Sequence, residues 1–258
     1  MDQWFTYLGT ELLGSALLII LGNGAIANVV LKGTKGWKNS NFLMIALGWG
    51  FALGIGVFVA TALGGKGHLN PAVTLAFVVN HWTTNVGPWG LLPLFLVGQI
   101  AGFLVGQMVV DFVYSQQIVA YFRRTRKDFQ TEANRSVLSM HATVPQTRVV
   151  WANLFVEFIG TVVLVLTILS VSKFNIPANQ NFLVPTFIMI ALMAIGCSLS
   201  GTTGFAVNPF RDLIPRVVYQ VLILLPCTRS RESADWCYSW IPVVAPLAAG
   251  AIVGACFI

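Results

Sequence analysis

Charge is what this chain has least of. Only 9% of its 258 residues are Asp, Glu, Lys or Arg, against about 25% in an ordinary soluble domain, so its surface cannot face water all round. Histidine and cysteine are scarce too. The four cysteines (Cys197, Cys227, Cys237, Cys256) form no C-x-x-C pair and the three histidines do not cluster, a pattern that offers neither a metal nor a redox site. A loop disulfide between Cys227 and Cys237 is the alternative open to that pair. No nucleophile–base pair stands out either, so the expectation is a protein without cofactor or metal that is not an enzyme. The pI near 9.4 does not point to nucleic acid, because the basic residues fall in loops between apolar runs.

Those runs are what the chain has in abundance. Leu12 to Leu31, Asn39 to Gly65 and Trp236 to Ile258 contain no charged side chain, and a helix needs roughly 20 apolar residues to cross a bilayer. The opening MDQWFTYLGTELLG lacks a basic n-region and leads into a run too long for a leader's h-region, so it reads as the first span. Six long segments fit this logic, at about 4–31, 40–64, 86–114, 149–172, 182–203 and 238–258. Two shorter ones begin at Asn70 (NPAVTLAFVV) and Asn208 (NPFRDLIPRVVY). Each covers roughly half a bilayer as a helix, so a chain that enters there must turn back.

The order is span, span, half-helix, span, and then the same again. Glu11-Leu-Leu-Gly14 recurs as Glu157-Phe-Ile-Gly160, Asn70-Pro71 as Asn208-Pro209, and Gly102-x-x-x-Gly106 as Gly250-x-x-x-Gly254. Each half crosses the membrane an odd number of times, so the second copy is inverted relative to the first. The expected fold is an all-α membrane protein of six transmembrane helices and two re-entrant half-helices. Its boundaries are 1–114 for the first repeat, 115–148 for a long polar connecting loop, and 149–258 for the second, within one channel domain over 1–258. Gly98, Gly102 and Gly106 allow close helix packing.

Asn-Pro is a helix start, since the Asn oxygen caps the first free N–H groups and Pro suits the next position. Two such starts in matching places of an inverted repeat put two positive helix ends face to face at mid-membrane, which repels cations. The capping oxygens are used, and the amide NH₂ groups of Asn70 and Asn208 are expected to be free to donate to a passing solute.

HLNPAV and GFAVNPFRD, on six spans with Glu11 and Glu157 in the first and fourth, resemble the aquaporin family over essentially the whole chain. The Asp after the Arg is similar to its glycerol-conducting branch. The resemblance implies a multi-pass plasma-membrane homotetramer in which each subunit holds its own pore. By motif matching, the filter is Trp49, Gly196, Phe205 and Arg211, with Asn70, Asn208 and His68 also meeting the solute. Glycine would leave width, two aromatics would face a carbon backbone, and the guanidinium would donate to hydroxyls. Glu11 and Glu157 are implied to hold the half-helix loops, and Asp212 to brace the loop beside Arg211. The expected activity is passive conduction of glycerol and other small neutral polyols, with some water and with urea as a further candidate solute, while protons and ions are excluded. The alternative is a proton-coupled secondary transporter in which Glu11 and Glu157 carry protons.

Two departures stand out. The second motif reads Asn-Pro-Phe where the family has Asn-Pro-Ala, and Phe210 is expected to pack away from the lumen. The loop before the first motif is longer than the family's and brings in Lys66. With cytoplasmic termini, as the resemblance implies, every Lys and Arg except Lys66 and Lys173 would lie on the outer side, opposite to the positive-inside bias.

Overall fold

A computed structural model describes residues 3–124, 130–174, 176–177, 180–222 and 233–257. The long helices are α1 (Gln3–Val30), α2 (Phe42–Ala62), α5 (Leu92–Val113), α8 (Val150–Ser172), α9 (Leu183–Ser198) and α12 (Ile241–Cys256). The half-helices are α3 (Pro71–Val79) and α10 (Pro209–Leu222). Short helices fill the corners: α4 (Trp82–Asn85), α6 (Ser115–Arg124), α7 (Gln130–Ser139) and α11 (Trp236–Ser239).

Caps explain several of the starts. Asn41 accepts from the Leu43 N–H at 3.0 Å to open α2, and Asn70 accepts from the Ala72 N–H at 2.8 Å to open α3, with Pro71 in the first turn. Asn208 accepts from the N–H groups of Phe210 at 3.1 Å and Arg211 at 3.2 Å to open α10.

The two halves pack as an inverted pair. Within them α1 lies on α2 and α5, and α8 on α9 and α12; between them α2 meets α9. Each half-helix leans on the last span of the other half, α3 on α12 and α10 on α5. Glycine makes the closest approach possible. A Cβ at Gly98 would stand 2.7 Å from the Leu8 carbonyl, and one at Gly106 2.7 Å from that of Ala16, so α5 lies directly against the backbone of α1. Large apolar side chains such as Phe51, Phe58, Phe112 and Phe155 point outward, where lipid replaces water.

Three segment boundaries differ from the sequence reading. The span expected over 86–114 begins only after Gly87 and Pro88, with a 3₁₀ turn at Trp89–Leu91 that runs straight into α5. The one expected over 182–203 is helical only over Leu183–Ser198, and beyond it the chain runs irregularly up to Asn208. The segment 115–148 is not a plain loop, because α6 and α7 form within it and bury Ile118, Val137 and Leu138 against the core. Their apolar positions are diluted by the neighbouring basic run, which hid the helical period. That run, at 125–127, and Cys227 of the disulfide alternative lie outside the described residues.

Candidate pore and filter

The centre of the molecule is built twice. Leu69 and Val207, each just before an Asn-Pro, have left-handed backbones with φ 50° and 41°. A non-glycine residue held there costs on the order of 1–3 kcal/mol and persists only when its surroundings fix it. Buried Glu11 and Glu157 do the fixing. The carboxylate of Glu11 accepts from the His68 N–H at 2.7 Å and the Leu69 N–H at 2.8 Å. That of Glu157 accepts from Ala206 at 3.0 Å and Val207 at 2.9 Å. With the N–H groups held inward, the Leu69 and Val207 carbonyls turn toward the opposite motif. There the Asn208 amide donates to the Leu69 carbonyl and the Asn70 amide to the Val207 carbonyl, both at 2.8 Å.

This reciprocal clasp corrects the expectation that the two NH₂ groups are free. Each has one N–H committed across the junction. Because an amide carries two, the second is not used in the clasp. The clasp was invisible in sequence because it pairs residues from different halves.

Three cavities run through this centre and share lining residues. The largest, about 430 Å³, lies on the side of Phe257 and is lined by His68, Asn70, Lys66 and Lys173 among others. Its inner end narrows to a space of about 20 Å³ between Trp49, Asn70, Phe205, Asn208 and Arg211, room for about one water. Beyond Phe205 and Arg211 it reopens to about 260 Å³ beneath Thr143, Val144 and Gln146.

The narrow section is chemically mixed. Leu18, Leu53, Leu164, Leu192 and Phe205 supply apolar lining. The Arg211 guanidinium lies 4.1 Å over the Trp49 ring, and Arg211 Nη1 and Trp49 Nε1 are buried donors with no protein acceptor. An unpaired buried donor costs about 1–3 kcal/mol, so this pair is arranged for something that brings its own oxygens. Phe205 reaches the wall through another left-handed backbone, φ 43°. Gly196 does not line the narrow section; a Cβ there would stand 3.3 Å from the Phe205 ring and 2.9 Å from Ala46 Cβ. Its lack of a side chain leaves room for the Phe205 ring. The His68 ring sits beside the larger cavity, stacked 4.7 Å from Phe77, with Nδ1 3.2 Å from Thr74 Oγ1.

Around this core the two loops are braced differently. Gln99 donates to Glu11 at 2.9 Å and to Thr74 Oγ1 at 3.0 Å. Asp212 accepts from the Thr143 N–H at 2.8 Å and hydroxyl at 2.6 Å, and from Arg216 Nε at 2.8 Å. Arg216 is fully buried and donates onward to the Thr143 and Ala234 carbonyls. Arg216 and Gln99 escaped the sequence reading. An Asp and an Arg four apart in an apolar helix were the available signal for the first; a lone Gln gave none for the second. Phe210 is half-buried against the main apolar cluster and is not a lining residue of any of the three cavities. Among the described residues, no group of three or more His, Cys, Asp or Glu is placed to hold a metal.

The model of the family described as Major intrinsic protein matches residues 3–257. The chain belongs to that family. Among its relatives, the "Probable glycerol uptake facilitator protein" of Thermotoga maritima is 38% identical over 95% of this chain and 94% of its own length. "Glycerol uptake facilitator protein 3" of Lactiplantibacillus plantarum is 37% identical over 94% and 91%. The X-ray structure of the aquaglyceroporin from Plasmodium falciparum superposes with a TM-score of 0.76 at 27% identity, covering 98% of this chain and 94% of that one. As a major intrinsic protein the chain is a multi-pass membrane protein with six spans and two half-helices.

Proposed function

We propose that this major intrinsic protein is a passive channel for glycerol and other small neutral polyols, with some water and urea passing too, and that it excludes ions and protons. One observation carries the reading. The narrowest point combines two unpaired donors, Trp49 Nε1 and Arg211 Nη1, with the apolar side chains of Phe205 and four leucines. A polyol has hydroxyls along one edge and C–H along the other, so it satisfies both kinds of lining as it sheds water. Asn70 and Asn208 hand it on with their second N–H groups. Cations meet two helix starts and a guanidinium. The names of the relatives agree with this solute class.

Trp49, Phe205 and Arg211 form the filter in this reading, Gly196 seats Phe205, and His68 meets solute in the wider cavity. Glu11, Glu157 and Asp212 are supports. The repeats are 1–114 and 149–258, joined by 115–148, and the assembly is a homotetramer of independent pores in the plasma membrane. A proton-coupled transporter is the rival. The carboxylate oxygens of Glu11 and Glu157 are taken up by backbone N–H groups, away from the cavity linings, which favours a scaffold over a proton carrier. Stopped-flow light scattering on proteoliposomes tests the proposal. Glycerol should enter many-fold faster than into empty vesicles; equal rates would reject it.

A further inference from the structure

Behind the wall of the 260 Å³ cavity lies a buried polar cluster that the pore itself does not use. His141, fully buried just after α7, places Nε2 3.0 and 3.2 Å from the two carboxylate oxygens of Asp111 on α5. Its Nδ1 lies 2.8 Å from the Val137 carbonyl. A carbonyl can only accept, and so can a carboxylate. A neutral imidazole has one N–H and would leave its other nitrogen's lone pair against one of these oxygens. The geometry is satisfied only when the pair holds one proton more than a neutral imidazole and a carboxylate would.

The cluster is tied to α1 and α5. Asn23 donates to Gln107 at 2.6 Å and to the His141 carbonyl at 3.3 Å, and Gln107 donates to Asp111 at 2.9 Å. Two residues beyond His141, Thr143 is clasped by Asp212, the neighbour of Arg211, and Arg216 donates to its carbonyl. Gln146 closes the ring by donating its N–H to the Thr202 carbonyl at 2.9 Å, on the approach to Phe205. Ala142, Thr143 and Val144 line the same cavity as Phe205 and Arg211. The loop that His141 anchors is therefore the outer half of the mounting on which the narrow section is built.

We propose, resting on the filter reading above, that His141 is a positioning residue for Arg211. The protonated His141–Asp111 pair holds the 140–146 loop so that Thr143 fixes Asp212 and the guanidinium beside it. Among the described residues, α10 brings Tyr219 against the imidazole, edge-on with ring centroids 5.4 Å apart; α1 contributes the neutral Asn23, and Arg135 in the middle of α7 donates away to the Pro145 carbonyl. When the extra proton leaves, one imidazole nitrogen faces an acceptor unprotonated and the loop slackens. Glycerol, which needs aligned donors for adjacent hydroxyls, suffers more than water, which needs one.

The test is the ratio of glycerol to water permeability in proteoliposomes, measured at about pH 6 and about pH 9. The wild-type ratio should fall several-fold as pH rises. His141→Phe keeps the ring but no hydrogen bond, and should show the low ratio at both pH values. Asp111→Asn should hold the high ratio at both, because its amide donates to Nε2 of a neutral imidazole whose Nδ1–H still reaches Val137. A His141→Phe ratio equal to wild type at both pH values, or an equal loss of water and glycerol flux, overturns the positioning role, and a flat wild-type profile overturns the extra proton. Arg211→Lys separates the two readings. If it lowers the ratio while His141→Phe does not, the filter stands and the positioning role fails; if Arg211→Lys leaves the ratio unchanged, the filter reading itself fails.

Discussion

The loop before Asn70 and the loop before Asn208 are near copies at their inner ends and unlike each other everywhere else. Both end in a left-handed residue, both are held by a buried Glu through two adjacent N–H groups, and both offer a carbonyl to the opposite Asn. Outward from there, the first loop is backed by one neutral side chain, Gln99, and opens past His68 into the wide cavity. The second carries Phe205 and runs into α10, which carries Arg211 and is bolted to the connecting segment through Asp212, Arg216 and Thr143. In the proposed reading the shared part makes a junction hostile to cations, and the unshared part selects the neutral solute, which calls for stiffer support around the guanidinium.

Breaking the support on the second side should cost most. Arg216→Met leaves Asp212 as a buried, half-paired carboxylate, worth about 3–5 kcal/mol, and should show as a large fall in thermal stability of the purified protein in detergent. Replacing both at once, Asp212→Leu with Arg216→Met, should recover much of that stability but not glycerol selectivity. On the first side, Gln99→Leu removes the hydrogen bonds to Glu11 and Thr74, of which the one to the carboxylate is worth about 1.5–3 kcal/mol, and should lower stability less while sparing selectivity. Trp49→Ala or Phe205→Ala removes a buried aromatic and should lower stability as well, but its distinguishing effect should be blurred discrimination among polyols of different length, read as flux ratios. Unchanged ratios for solutes of every size would remove those residues from the wall. The smallest effect is expected at Phe210, which packs against the apolar cluster. Phe210→Ala should leave glycerol flux per protein unchanged, and a many-fold gain would place that ring in the path.

What could be read from the chain and what could not divide along a physical line. Local chemistry was legible. Asn-Pro announces a helix start whatever surrounds it, an uncharged apolar run announces a span, and Arg211 inside one announces a function. The order of these signals was enough for the six spans, the half-helices and the inversion. Tertiary pairings were not legible. Nothing at Asn70 says that its amide will be taken by Val207, and nothing at Gly196 says that its vacancy will be filled by Phe205. The helices within 115–148 were hidden because their apolar positions are few and interleaved with charge. Arg216 was passed over because it looks like one more basic residue after the motif, and only its complete burial reveals it as a hub.

The central claim, that two half-helix starts pass neutral molecules and nothing charged, is tested most directly with an imposed proton gradient. Proteoliposomes loaded with a pH-sensitive dye should keep the gradient as long as empty vesicles do, while glycerol equilibrates to the same level with and without it. Faster collapse of the gradient than in empty vesicles, or glycerol accumulated above its outside concentration, would contradict the account.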